Sequence, residues 1–291
     1  MLRRLNELEG YAIGATDGAL GEVTDFLFDD EAWVVRYLVV YTGNWLSNRT
    51  VLISPIAIGK PGWNDGTLRV PMTTEQVRNS PDVDTNRPVS RQYEMGYFGY
   101  YGYYPYYWGT SGLWGAGDDP GALRSGVDLA KEGVEPHTVA EDRARVALEA
   151  EKHRNDDPHL RSANAIKHYH IKANDGGIGH VQGLLLDEDT WAIRYLIVDT
   201  SNWWLGHTVL IAPQWIQGVS WSERAVSINL TQEAIKSSPR YDSGYAFHRY
   251  EEARLYDHYQ RAGYWADHVR LQNPEFQNLK SAPSRYPGNE R

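Results

Sequence analysis

The sequence predicts an all-β protein built from two copies of one small module. Three observations carry that expectation. The chain repeats itself at a fixed offset of 158 residues. Inside each copy the apolar residues mostly alternate, in short runs bounded by Gly, Asp and Pro, the pattern of half-buried strands. Five or six such runs fall within about 80 residues. An open sheet that small cannot cover its edges, so each copy is expected to close into a small antiparallel β-barrel.

The repeat is read first, because a missed repeat miscalls the fold. Asp17-Gly18-Ala19-Leu20-Gly21 recurs as Asp175-Gly176-Gly177-Ile178-Gly179. Trp33-Val34-Val35-Arg36-Tyr37-Leu38 recurs as Trp191-Ala192-Ile193-Arg194-Tyr195-Leu196. Asn44-Trp45 matches Asn202-Trp203, Thr50-Val51-Leu52-Ile53 matches Thr208-Val209-Leu210-Ile211, and Ser80-Pro81 matches Ser238-Pro239. Upstream, Leu2-Arg3 matches Leu160-Arg161 and Asn6 matches Asn164.

The elements follow in order. Asp17-Gly18 and Asp175-Gly176 read as hairpin turns of type I′, with Gly21 and Gly179 just beyond. Residues 21–28 read as a strand with Val23 and Leu27 on one face. Asp29-Asp30-Glu31 makes the next turn. Residues 34–41 form the strongest strand, rich in β-branched and aromatic side chains. Residues 50–53 are another strand, ended by Pro55. Residues 56–58 and 67–70 are shorter, and a brief helix over 74–79 closes the unit before Ser80-Pro81. The second copy reads alike and closes with 232–237.

The resulting division is module 1 over 1–85, a Tyr-rich appendage over 86–108, a linker over 109–159, module 2 over 160–243, an aromatic helical appendage over 244–267 and a loose tail over 268–291. The linker carries a charged helix over 141–154, acidic at its start and basic at its end, as the helix dipole favours. The two appendages match with a one-residue slip: Tyr93-Glu94 with Tyr250-Glu251, and Tyr107-Trp108 with Tyr264-Trp265. Both are therefore expected to pack on their modules, although the Tyr/Gly composition of 97–108 also fits a disordered tract.

Composition bounds the function. The formal charge is -9, which speaks against the clustered basic face of a nucleic-acid binder and against docking on an anionic membrane. There are no cysteines, which removes disulfides, thiol chemistry and Cys-based metal sites and fits a cytoplasmic location. The N-terminus lacks the apolar run of a signal peptide, and no apolar stretch approaches the length of a membrane span. Aromatics are 20 Tyr and 11 Trp against 5 Phe. Rings with a polar tip suit interfaces better than dry cores.

At Asp17-Gly18, Gly21, Val23, Asp29, Trp33, Arg36-Tyr37-Leu38-Val39-Val40 and Val51-Leu52-Ile53-Ser54-Pro55 the sequence resembles the PRC-barrel family. That family includes the cytoplasmic domain of the photosynthetic reaction-centre H subunit and the C-terminal domain of a bacterial ribosome maturation factor. The resemblance covers roughly 1–85 and 160–243. It implies tandem small β-barrels used for protein contact, in a bacterial protein, with no catalytic residues to carry over.

His168 and His170 read as alternate residues on a strand and form a weak metal pair, since the first copy has Gly10 and Ala12 there. The acidic turns Asp29-Asp30-Glu31 and Asp187-Glu188-Asp189 read as solvated hairpins rather than calcium loops. No phosphate loop, nucleophile elbow or dinucleotide fingerprint occurs. Arg36 and Arg194 read as outward strand residues paired with acid, or as an ion pair between modules. Trp45, Trp203, Trp204, Tyr100, Tyr101, Tyr103, Tyr104 and Trp108 are the candidates for partner contact, with packing against the appendage the first reading of the three turn tryptophans. The expectation is a non-enzymatic binding or assembly protein, without cofactor or metal, with a protein partner or a second copy. The alternatives are an accessory of a photosynthetic or electron-transport membrane complex, and an RNA-processing or ribosome-assembly factor.

Overall fold

The computed structural model describes residues 1–58, 65–81, 89, 91–108, 112–115, 117–124, 160–200 and 208–266. The charged linker helix expected at 141–154, the tail over 268–291, Trp203 and Trp204 lie outside these residues, as does the side chain of Trp108.

The first copy contributes β1 (Leu2–Arg4), β2 (Ala12–Gly14), β3 (Ala19–Asp29), β4 (Val34–Tyr41), β5 (Thr50–Ile53) and β6 (Thr67–Arg69). The second contributes β7 (Leu160–Ser162), β8 (His170–Ala173), β9 (Gly176–Asp187), β10 (Ile193–Asp199), β11 (Thr208–Ile211), β12 (Ile216–Ser220) and β13 (Ala225–Ile228). One sheet runs β5-β4-β3-β2-β6 and the other β11-β10-β9-β8-β13-β12. The shared order follows from the shared pattern of strands and turns. The protein is mostly β, as expected.

Two expectations need correction. The sheets are not purely antiparallel: β2 pairs with β6, and β8 with β13, in parallel. Nor do they close: among the described residues no pairing joins the two ends of either sheet. The open flank of each long strand is paired in another way. β3 is long enough to serve two neighbours, β2 along its first half and β7 of the other copy at its far end. β9 takes β1 of the first copy in the same fashion. Each copy thus lends its opening strand to the other's sheet.

The two exchanges are one pairing seen twice. Leu27, Phe28 and Asp29 face Ser162, Arg161 and Leu160. Leu185, Leu186 and Asp187 face Arg4, Arg3 and Leu2. At the centre of the seam Val34 bridges Ala192, its own counterpart in the repeat. Around that point Val35 N donates to Trp191 O at 2.9 Å, and Ile193 N to Trp33 O at 2.7 Å. The molecule is a covalent pseudo-dimer with an isologous interface. Its apolar core is one cluster drawn from both copies.

The Asp-Gly turns also differ from expectation. Gly18 does not take a positive φ, and neither Asp17 nor Asp175 does, so neither turn is type I′. The aspartates instead cap a helix. Asp17 Oδ1 accepts Thr74 N at 2.8 Å, and Asp175 Oδ1 accepts Gln232 N at 2.8 Å. These are the first residues of the helices Thr74–Arg78 and Gln232–Lys236. An acceptor there satisfies a backbone donor that the helix itself cannot. Thr74's backbone N–H is also the main reason the Asp17 carboxyl is held below the usual range.

The demanding glycines are Gly21 and Gly179, both at φ +146°. A Cβ on Gly21 would overlap the Tyr41 carbonyl, and one on Gly179 the Asp199 carbonyl. Only glycine lets the bent long strand pass this close to its hairpin partner.

Candidate binding cleft

β4 illustrates how the appendages are held. Its residues from Val34 to Val40 are all buried, on both faces of the sheet. One face meets the core, so the other needs a cover. The helix Arg91–Tyr101 and the turn Tyr106–Trp108 supply it, and Arg249–His258 does so in the second copy. Tyr37 meets Tyr97 edge-on at 5.0 Å, and Phe98 meets Tyr106 edge-on at 6.0 Å. Such geometry suits aromatic quadrupoles. The Tyr/Gly tract is therefore folded cover, and the exposed aromatic patch expected there shrinks to little more than Tyr100.

A buried carboxylate pins each cover to its sheet. Glu94 Oε1 accepts Tyr37 OH at 3.2 Å and Tyr106 OH at 3.0 Å. Glu252 Oε2 accepts Tyr195 OH at 2.8 Å and Tyr264 OH at 2.9 Å. Both carboxylates are nearly inaccessible. Burial first, and then the neighbouring charge and phenols, push the Tyr37 and Tyr195 phenols well up, so they stay protonated donors. These contacts also correct the repeat alignment. Glu94 corresponds to Glu252 and Tyr106 to Tyr264, so the 158 offset continues through the appendages without the one-residue slip.

Arg36 and Arg194 each pair within their own copy. Arg36 Nη2 donates to Asp29 Oδ2 at 3.3 Å, and Arg194 Nη2 to Asp187 Oδ2 at 3.0 Å. The intermodule ion pair considered for them is not formed. The acidic turns do bridge the copies, through other residues. Arg3 Nε donates to Glu188 Oε1 at 2.6 Å, and Arg161 Nε to Asp30 Oδ2 at 2.9 Å. They are sockets for the exchanged strands rather than solvated hairpins. The repetition of Arg3/Arg161 alongside Asp30/Glu188 was the available sequence signal.

The linker then makes the two copies different. In the first copy Trp114 is fully buried beside Tyr106, 6.2 Å away in edge geometry. The Arg36 guanidinium lies 3.6 Å from the Tyr106 centroid and 4.7 Å from that of Trp114. Arg36 Nη1 donates to Leu113 O at 2.8 Å. Trp114 Nε1 reaches across the seam to Thr190 O at 2.8 Å. Further along, Arg124 Nε donates to Ile56 O at 3.0 Å, and Leu123 is buried. Leu113, Trp114 and Leu123 fill a groove.

Among the described residues the counterpart groove in the second copy holds no polypeptide and forms a cavity of about 730 Å³. Arg194, Tyr264, Gln214 and Tyr256 line it, with Ala32 and Trp33 across the seam and Trp221 on the far wall. Through the 158 offset Arg194 stands for Arg36, Tyr264 for Tyr106 and Ala32 for Thr190. Arg194 sits 4.0 Å over Tyr264. Its Nε and Nη2 are used on Asp187 and Thr190. Its Nη1, the atom that in Arg36 holds Leu113, makes no bond among the described residues. The floor is more polar than in the first copy: Gln214 Nε2 donates to Tyr256 OH at 2.8 Å where the first copy has Ile56 and Phe98. Nothing in the linker's Gly-rich composition marked Trp114 as a plug. Its place depends on contacts across both copies.

The other partner candidates are placed as follows. Trp45 is half-buried and its Nε1 donates to Leu20 O at 2.8 Å. Tyr100 is exposed, with its hydroxyl on Gln76 O at 2.8 Å. Tyr101 stacks on Tyr103 at 5.7 Å, and both are half-buried with Tyr104 against the core. None of these lines the cavity. His168 stands at φ 70° ahead of β8 while His170 opens the strand, so the two do not alternate on it. Among the described residues no cluster of three or more His, Asp or Glu is placed to hold a metal. No helix among them is long and apolar enough to cross a membrane.

The family model of the PRC-barrel domain matches residues 2–82. Over these residues the chain is similar to the PRC-barrel domain. The PRC-barrel domain is a general protein-interaction and assembly module. The match starts with β1 and ends beside the Thr74–Arg78 helix, so it includes the strand lent to the second copy. No curated protein matches the chain.

Proposed function

We propose that the chain is a non-catalytic protein-binding and assembly module of the cytoplasm, and that its working surface is the open groove of the second copy. We further read the second copy as a PRC-barrel domain on the strength of the shared strand order and the unbroken offset. One observation carries the functional reading: the equivalent groove of the first copy is already occupied by polypeptide. A groove that accepts a protein segment on one side of a pseudo-two-fold axis has the shape and donors to accept one on the other. Its size is in the range of sites that bury a few side chains, and its mix of aromatic wall and few polar groups is that of interface cores.

The test is site-specific photo-crosslinking in cells. Gln217 is exposed on the groove rim and Tyr245 is exposed away from it. A photoreactive residue at 217 is expected to yield a discrete adduct with a protein, and the same residue at 245 none. Adducts of equal yield at both positions, or none at 217, would remove the groove from the account.

A further inference from the structure

We infer that the open groove recognises a tryptophan-bearing peptide segment of a partner protein. The inference rests on reading the groove as a protein-binding site and adds the chemistry of what enters it. The first copy shows the occupied form. There a Leu-Trp pair supplies two things: the Leu113 carbonyl to an arginine fork, and an indole that lies by a tyrosine and sends its N–H across the seam.

Each receiving group is present again in the second copy. Arg194 holds an unused Nη1 and is about nine-tenths buried, its orientation fixed by Asp187. That Nη1 is not among the buried unpartnered atoms, so it is open to the groove, and a peptide carbonyl can replace the water there as a charge-assisted acceptor. Tyr264 offers the ring face and edge that Tyr106 offers to Trp114. Ala32 takes the place of Thr190, and a backbone carbonyl at that position can accept an indole N–H whatever the side chain. Trp33 and Trp221 add aromatic wall, and Arg161 lies 4.7 Å over Trp221. Tryptophan suits such a pocket better than other large side chains. It buries the most apolar area and still needs one acceptor for its N–H.

The Gln214–Tyr256 floor separates the two grooves. In the first copy the Ile56 carbonyl binds Arg124, behind an apolar side chain. In the second, the Gln214 amide and Tyr256 hydroxyl offer polar contacts to the residues that flank the tryptophan.

The experiment uses the full chain and a labelled peptide with the sequence of residues 111–124, followed by fluorescence anisotropy. Saturable one-to-one binding is expected. The same peptide carrying Trp114→Ala is expected to bind at least about tenfold more weakly, the loss of one anchor side chain. In the protein, Gly218→Trp places an indole on the groove lining, where a Cβ meets nothing within 4 Å, and binding is expected to be lost. Arg194→Lys keeps the charge beside Asp187 but lacks the fork, and weakens binding by about tenfold. Circular dichroism and thermal melts confirm that both variants fold.

Three results would overturn the inference. They are no saturable binding, equal binding of the Trp114→Ala peptide, and binding untouched by Gly218→Trp, which would mean the peptide displaces the plug of the first copy. A protein adduct at 217 together with any of these leaves the binding reading in place and removes only the tryptophan.

Discussion

The two grooves beside the seam are built from the same repeat positions and end in opposite states. In the first copy an arginine, a tyrosine and a carbonyl across the seam close on Leu113 and Trp114. In the second the same set faces a cavity. A homodimer of identical modules would have two equal grooves. Joining the modules in one chain lets the linker fill one of them and lets the other diverge. The seam shows the same freedom at a smaller scale. Glu9 and Lys167 are equivalent positions that meet across the axis at 2.9 Å. In a homodimer that position would face itself with like charge. Here the two copies carry opposite signs.

The largest effect expected from this comparison comes from the plug. Trp114→Ala should lower stability by about 3–5 kcal/mol, the range for a fully buried aromatic, as read from chemical denaturation. Trp265→Ala in the second copy removes a half-buried ring and should cost less than half of that. Equal losses would mean that the buried plug contributes no more than a half-buried ring of the cover.

Next come the glycines. Gly21→Ala and Gly179→Ala should each destabilise by more than about 2 kcal/mol, since strain at positive φ adds to a direct overlap with backbone. Because the two sites are equivalent, the two melts should shift alike. A mild effect in one copy alone would break the equivalence of the long strands.

Alkaline pH probes the buried phenols of both copies together. Tyr37 and Tyr195 have folded-state values raised above the unfolded value near 10. The native state therefore holds protons that the unfolded state releases. Their contribution is complete below about pH 10 and is lost as pH rises above it, by about 1.4 kcal/mol per pH unit for each such tyrosine. Tyr101 and Tyr259, an equivalent pair pushed up to about 12 by burial, add to the same loss. Unfolding free energy measured between pH 8 and 11 should be flat to about 10 and then fall, while absorbance at 295 nm shows these phenols silent until unfolding. A flat profile to pH 11 contradicts the burial of the cluster.

The smallest effect concerns the pair on the axis. Glu9→Lys should cost no more than about 1 kcal/mol, as both groups are partly exposed. The charge-swapped double variant Glu9→Lys with Lys167→Glu should recover most of that loss. Failure to recover would place the loss outside the pair.

How much of this was legible follows from the range over which each feature acts. The strands themselves were readable because Arg36-Tyr37-Leu38-Val39-Val40 and its copy carry local β propensity and the repeat multiplies every local signal; their order in the sheet was not. The cover helix was half readable. Its aromatic residues were noticed, but the slip placed Glu251 where Glu252 belongs, because only the two tyrosine hydroxyls around each carboxylate reveal the correct match. The type I′ turns were misread, since Asp17 and Asp175 answer to a helix terminus 57 residues on. Closed barrels were expected from the edge problem and from the family resemblance, and neither shows that the free flank of each long strand is paired by the other copy's first strand.

The sequence by itself determined the duplication, the β character and the absence of any thiol chemistry, because these are carried by residue identity and short-range pattern. Only the tertiary structure decided that each copy lends its first strand to the other, that Trp114 seals one groove, and that no described residue fills the groove beside Arg194. Those outcomes depend on groups more than 70 residues apart meeting at one seam, and no local propensity encodes which of two equivalent grooves the single linker will fill.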